Sequence, residues 1–186
     1  MKTFKLLALS GLVAVTCISP AIAHDDKSEL QANSASAGAL PSKTTTSFIN
    51  NAAIGGLFEV ESSKLALDKA QDPAVKDFAR KMISDHGKAN EELKSTVSAA
   101  NIGTDKVPSD LDAKHQATLD KLNATPAESS DKAFIKAQTD AHNEAVTLFN
   151  KYSKSGDNKT LKDFATNTLP TLQEHKAMLP ALKAGK

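Results

Sequence analysis

Apolar residues recur every three or four positions along four long segments of the chain, which is the spacing of the buried face of an α-helix. The segments run from Thr44 to about Gln71, from Pro73 to about Asn101, from about Asp131 to Tyr152, and from Leu161 to Leu182. Asp72 and Pro73 form a typical helix start, with Asp as the N-cap and Pro at the first helical position. The pattern therefore predicts four long helices.

A shorter helical pattern lies in the connection between the second and third segments. Leu111, His115, Leu119 and Leu122 fall on one face between Ser109 and Leu122. An Asn-Ala-Thr-Pro sequence then ends the pattern. Since the alternation that marks a β-strand occurs nowhere in the sequence, we expect an all-α protein.

Two short motifs recur in the second half of the chain at the same offset. Phe48-Ile49-Asn50 recurs as Phe134-Ile135-Lys136, and Val75-Lys76-Asp77-Phe78-Ala79 recurs as Leu161-Lys162-Asp163-Phe164-Ala165. The two matches indicate two similar helical hairpins. Short links within each hairpin and a long link between them predict a ferritin-like four-helix bundle, with one crossover that contains the short helix. Pro170 lies inside the fourth pattern and is expected to kink that helix.

Residues 1–23 have the features of a secretory signal peptide. Lys2 and Lys5 precede an apolar stretch too short to span a bilayer, and Ala21-Ile22-Ala23 supplies the small residues of a cleavage site. We therefore expect an exported, soluble, periplasmic protein, with association with the outer membrane as a further option. The polar segment 24–43, rich in Ser and Ala, predicts a flexible leader before a bundle domain at 44–183.

Composition and charge exclude several classes of function. The chain has 23 Lys and Arg against 22 Asp and Glu, so its formal charge of +1 argues against a nucleic-acid partner bound through a basic surface. Neither glycine-rich phosphate-binding motif occurs. The one Cys, Cys17, lies in the predicted signal peptide, where Thr16 disfavours lipidation. We thus expect neither a disulfide nor a Cys nucleophile in the mature chain.

Four polar residues lie on the predicted inner faces, one on each long helix. They are Glu59, His86, His142 and His175. At a rise of ~1.5 Å per residue, their distances from the hairpin loops place them within about one helical turn of a common depth. A buried Glu is costly unless it is paired or binds a cation. Three imidazoles and one carboxylate are the ligand types of a mononuclear Zn, Cu, Mn or Fe site, so we take the four residues as candidate metal ligands.

Two acidic residues directly precede histidines of this set. Asp85 and Glu174 point about 100° away from His86 and His175 around their helices, so we expect them to support ligands rather than to bind the metal. A di-iron centre would need Glu-x-x-His motifs, and no carboxylate stands three positions before any of the three histidines.

The histidines are also consistent with roles other than this metal site. The leading alternative is that the four residues form a structural hydrogen-bond network that fixes the helix register. Haem would require a His together with Met82 or Met178, and the Cys-x-x-Cys-His motif for its covalent attachment does not occur. His24, as a new amino terminus, has an amine and an imidazole that together chelate copper. His115 is expected to pack or to form hydrogen bonds in the crossover.

A set of residues on the four helices resembles the signature of a bacterial family called domain of unknown function 4142. The set comprises Glu59, Met82-Ile83-Ser84-Asp85-His86, His142 and Leu169-Pro170-Thr171-Leu172-Gln173-Glu174-His175. The resemblance spans about Phe48 to Leu182. It implies an exported ferritin-like bundle of the bacterial envelope, often described as a membrane or outer-membrane protein without an assigned activity. The family leads us to expect an aromatic residue, often Tyr, where this chain has Phe134, so a role for a phenol at the site does not carry over.

Two classes of function follow from these observations. The first is a metal-binding bundle that uses the four inner residues as ligands. The second is a non-enzymatic envelope stress or interaction protein, with an unidentified envelope partner, in which the polar layer is purely structural. The sequence assigns no reaction and contains no nucleophile elbow. It leaves no candidate transmembrane segment after signal cleavage.

Overall fold

The computed structural model of the protein describes residues 41–182. In this part the chain forms five α-helices and two short 3-10 helices, and it contains no strand. The α-helices are α1 (Lys43–Lys69), α2 (Pro73–Ala99), α3 (Ala113–Ala124), α4 (Ala127–Ser155) and α5 (Lys159–Met178). The 3-10 helices span Thr104–Lys106 and Leu179–Ala181. The prediction of an all-α protein is thus confirmed for the described residues.

The predicted signal peptide at 1–23, and with it Cys17, lies outside the described residues, as does almost all of the predicted leader at 24–43. The limits of the bundle domain at 44–183 stay a prediction. Within residues 41–182, no helix is both long enough and apolar enough to cross a membrane.

Local capping chemistry explains where α1 and α2 begin and end. The Asp72 side chain accepts a hydrogen bond from the Ala74 amide at 2.8 Å, so the predicted start of α2 is confirmed. Ser42 caps α1, which begins at Lys43, one residue before the expected start at Thr44. Asn101 ends α2 with φ 56°, a left-handed conformation that Asn adopts more readily than most residues.

The other helices differ in their ends from the sequence expectation. Helix α3 begins at Ala113 rather than Ser109, because Asp112 is its N-cap. Helix α4 begins at Ala127 after Pro126, several residues before the expected start at Asp131. Helix α5 continues through Pro170 as one α-helix.

Contacts between the helices form two hairpins. Helix α1 packs against α2 and α4 packs against α5, each pair joined by a short turn; α1 also contacts α4, and α2 contacts α5. Helix α3 lies in the long connection between the hairpins and packs mainly on α1. The contacts agree with the hairpin pairing that the internal repeat predicted.

The turn of the first hairpin is held by the second. Asp131, which is buried near the start of α4, accepts hydrogen bonds from the backbone amides of Gln71 and Asp72, both at 2.9 Å. The Ser130 hydroxyl donates to the carbonyl of Lys69 at 2.9 Å. Ser130 thus satisfies a carbonyl that the end of α1 leaves without a helical partner, and Asp131 satisfies two amides of the turn that follows.

Two apolar clusters occupy opposite ends of the core. The first is rich in aromatic rings, and its Phe48 stacks on Tyr152 with ring centroids 4.0 Å apart. The second contains Phe78, Met82 and Phe134. On α1 and α2 the two clusters are separated by a gap of several residues. Buried polar residues from all four long helices lie between the two clusters.

Candidate metal centre

Four buried polar side chains fill the layer between the two apolar clusters, one from each long helix. Their exposed fractions are 1% for Glu59 on α1, 5% for His86 on α2, and 0% for both His142 on α4 and His175 on α5. The helical period that puts apolar residues into the core also directs these positions inward. The structure therefore brings together the four residues that the sequence singled out.

The three histidines form an almost equilateral triangle. The ring centroids are 5.5 Å apart for His86 and His142, 5.4 Å for His86 and His175, and 5.5 Å for His142 and His175. One ring nitrogen from each lies within 4.8 Å of the other two. Glu59 joins this group through both carboxylate oxygens: Oε1 lies 3.4 Å from His142 Nδ1, and Oε2 contacts His86 Nε2.

Hydrogen bonds on the outer side of the triangle fix two of the rings. His142 Nδ1 lies 2.9 Å from the backbone carbonyl of Gln138, and His175 Nε2 lies 3.0 Å from Asp85 Oδ2. Because both partners are acceptors, these ring nitrogens carry the protons and donate. The opposite nitrogens, His142 Nε2 and His175 Nδ1, are then lone-pair donors that face the centre.

Two ring nitrogens at the centre, His142 Nε2 and His175 Nδ1, have no hydrogen-bond partner among the described residues. Glu59 Oε2 and His86 Nε2 contact only each other. Buried polar atoms almost always have a partner, and each one left without costs about 1–3 kcal/mol. Two such nitrogens beside the Glu59–His86 pair place four potential metal ligands in one layer, and a cation bound there would satisfy the unpartnered nitrogens.

Electrostatics favour the protonation states that metal ligands need. Burial raises the pKa of Glu59, but attraction to His86, with a smaller contribution from His142, outweighs it and holds the pKa below its usual value. Burial, partly opposed by Glu59, lowers the pKa of His142. Burial and repulsion by His86 lower the pKa of His175 to about 4, against the opposing effect of Asp85. At neutral pH the carboxylate is ionised and these two imidazoles are neutral, as ligation requires.

The two acidic neighbours have different surroundings. Asp85 accepts its hydrogen bond from His175 across the α2–α5 interface rather than from the adjacent His86. Burial raises the pKa of Asp85, but the opposing effect of its partners Lys81 and His175 is larger and holds the pKa below its usual value. Glu174 is 64% exposed and lies 3.7 Å from Lys81. Lys81 in turn contacts Asp85, which is the hydrogen-bond partner of His175. A carboxylate that receives the outer proton of a ligating His orients that ring, and Asp85 has this geometry.

Gln138 supports the centre in a way that the sequence analysis did not identify. It is fully buried, and its side-chain amide donates to Ser62 Oγ at 3.0 Å. Its backbone carbonyl accepts the hydrogen bond that fixes the His142 ring. The sequence did carry a signal, since Gln138 lies one turn before His142 on the same face of α4.

The remaining histidines and methionines lie elsewhere. His115 on α3 bonds to Asp112 at 2.7 Å and packs against the Phe58 ring, so its predicted role in the crossover is confirmed. Met82 and Met178 lie in or against the second apolar cluster. His24 lies outside the described residues.

Comparisons with known proteins give a family and a fold. A family model described as "Domain of unknown function (DUF4142)" matches residues 30–182. No curated protein matches the sequence. Among solved structures, this chain is similar to a DUF305 fragment from Deinococcus radiodurans, at 10% identity and a TM-score of 0.64. The match covers 77% of this chain and 97% of that one. At this identity the likeness is one of helical fold alone.

Proposed function

We propose that this chain, which belongs to the DUF4142 family, binds one transition-metal ion at the centre of a ferritin-like four-helix bundle. The family membership confirms the resemblance noted in the sequence. Its description assigns no function, so the proposal rests on the residues of this chain. The ligands are Glu59, His86, His142 and His175. The observation that carries the proposal is that three imidazoles and one carboxylate meet inside the core and leave two ring nitrogens there without a partner.

The spacing of the rings is that expected around a single ion. With metal–nitrogen bonds of about 2.0–2.1 Å, the centre of each imidazole would lie roughly 3.2 Å from the ion. Tetrahedral to trigonal angles would then separate the ring centres by about 5.2–5.5 Å. The observed separations are 5.4–5.5 Å. The ring nitrogens lie within 4.8 Å of one another, so loading would draw them together while the ring centres stay near their present positions.

A purely structural polar network accounts for the centre less well. Such a network gains stability only when its members satisfy one another. Here His142 and His175 use their protons on Gln138 and Asp85, which leaves His142 Nε2 and His175 Nδ1 as buried acceptors without a partner among the described residues. A proton on His86 would satisfy Glu59 but neither of those nitrogens, whereas a cation would satisfy all of the inner atoms.

The donor set indicates the class of metal. Three imidazoles with one carboxylate suit Zn(II), Cu(II), Mn or Fe, and the nitrogen-rich set disfavours Mg and Ca. The two hairpins joined by a long connection support the ferritin-like arrangement for the bundle. The signal-like sequence of residues 1–23 supports a periplasmic location.

Elemental analysis of the mature protein, purified from the periplasm without chelator or affinity tag, tests the proposal. We expect about one metal ion per chain in the wild type and none in a His86→Ala/His175→Ala variant. A His115→Ala variant is the matched control, because this histidine lies outside the centre, and it should retain the metal.

Absence of metal from the wild type, followed by no rise in melting temperature with added Zn, Cu, Mn or Fe, would overturn the proposal. The polar layer would then be structural, and the function would have to be sought among envelope partners.

A further inference from the structure

A cavity of about 280 Å³ connects the protein surface with the candidate metal centre. Buried Glu59 and His86 line it, and so do Asn51 and Glu144, which are exposed. His142 and His175 are not among its lining residues. A metal held by the four ligands would therefore face the cavity on its Glu59–His86 side.

Small residues on three helices create this space. Ala52, Gly55 and Gly56 on α1, Ala89 on α2, and Ala141 and Ala145 on α4 line it. A Cβ added at Gly55 would meet no atom within 4 Å, so the cavity extends to the backbone of α1 there. A Cβ at Gly56 would lie only 2.1 Å from Asn90 Oδ1, so this glycine allows the Asn90 amide to lie against α1 beside the cavity.

Apart from the metal itself, the described side chains along the walls offer little to hold an anion. Among the described lining residues there is no Lys or Arg, whereas Glu59 and Glu144 both contribute carboxylates. Lys114 lies 2.8 Å from Glu144 but does not line the cavity. The rest of the wall is largely apolar and includes Leu93, Phe149 and Phe164. A neutral molecule would bury its apolar surface here without unpaired charge.

We infer that the cavity binds a small neutral molecule with an apolar body and one Lewis-basic donor atom. The donor meets the metal on its Glu59–His86 side, or the Asn90 amide beside it, and the apolar body lies against Leu93 and Phe149. This inference rests on the proposed metal site. A cavity of about 150 Å³ holds benzene in another protein, so 280 Å³ accommodates an aromatic ring with a substituent.

Isothermal titration calorimetry with 4-phenylimidazole at pH 8 tests the inference on the metal-loaded protein. At this pH the probe is neutral and offers one nitrogen donor on an apolar body. Imidazole is the comparison that lacks the apolar body, and benzoate is the comparison that carries a negative charge. We expect 4-phenylimidazole to bind at least about tenfold more tightly than imidazole, because its phenyl ring is buried. We expect it to bind at least about tenfold more tightly than benzoate, because the lining offers no Lys or Arg to pair with a carboxylate.

Two glycine variants provide a matched pair. Gly55→Leu fills the cavity from α1, and we expect it to weaken 4-phenylimidazole binding by at least about tenfold while the metal content stays unchanged. Gly87→Leu adds the same side chain at another helical glycine with open space around its Cβ, outside the cavity, and should bind the probe like the wild type. Nuclear Overhauser contacts between the probe and Leu93 in the wild type give a readout that does not depend on any variant.

The failure of each proposal gives a different result. Equal probe affinity in the two glycine variants, or benzoate binding as tightly as 4-phenylimidazole, would overturn this inference while bound metal still supported the proposed function. Absence of metal from the wild type would overturn both proposals.

Discussion

Acidification should destabilise the metal-free protein through His175. Its side chain is only 1% exposed, and burial together with repulsion by His86 lowers its pKa to about 4 from an ordinary value of 6.5. Between these two values the unfolded chain binds a proton at this residue and the folded chain does not. Lowering the pH therefore favours the unfolded state.

The magnitude follows from the two pKa values. From pH 7 to pH 5, the contribution of His175 to the free energy of unfolding falls by about 2 kcal/mol. His142 acts in the same direction because burial lowers its pKa as well. Glu59 is silent in this range, since its pKa lies below 4.5 and its stabilising effect is lost only at lower pH.

Urea unfolding in the presence of a chelator at pH 7, 6 and 5 measures this effect. A His175→Gln variant should lose about 2 kcal/mol less than the wild type over the same range, whatever its stability at pH 7. A His115→Gln variant, which alters a half-buried histidine outside the centre, should keep the pH dependence of the wild type. If His175→Gln and the wild type lose equal stability, the assignment of the proton to His175 is wrong.

Three further predictions concern the frame around the centre. Phe48→Ala removes a ring that is 1% exposed and stacked on Tyr152, and should cost about 3–5 kcal/mol in chemical unfolding. Asp131→Ala leaves two loop amides without their acceptor and should cost about 1–3 kcal/mol per amide, while metal affinity measured by titration stays unchanged. Two glycines form a contrasting pair in thermal unfolding: Gly87→Ala should stabilise α2 by up to about 1 kcal/mol, because its Cβ meets open space. Gly156→Ala should lower the melting temperature, because its Cβ would lie 2.6 Å from the Tyr152 carbonyl.

Features set by neighbouring residues in the sequence could be predicted, and features set by packing could not. The start of α2 was predictable, since Asp72 caps it through a hydrogen bond to an amide only two residues away in the sequence. The start of α4 was not. The first turn of α4 is polar, so it shows no apolar helical pattern. Its buried side chains, Ser130 and Asp131, form hydrogen bonds with the backbone at the distant turn between α1 and α2.

The same distinction holds within the candidate metal centre. The helical period placed Glu59 and the three histidines on inner faces, because burial repeats with every turn. It could not predict that Asp85 would orient His175 from the opposite hairpin, while Glu174, next to His175 in sequence, would lie exposed at the surface. Nor could it predict the cavity, which exists because side chains are small on three helices at once.

The buried Asp131 carboxylate has a consequence for synthesis of the chain. The residues of the first hairpin leave the ribosome well before Asp131, so the amides of Gln71 and Asp72 bond to water until α4 arrives. Completion of the first turn is thus a late event, although the turn itself is made early. A fragment that ends before Ala127 would leave those two amides open to rapid hydrogen exchange, and in the full chain they would become protected only after the second hairpin docks.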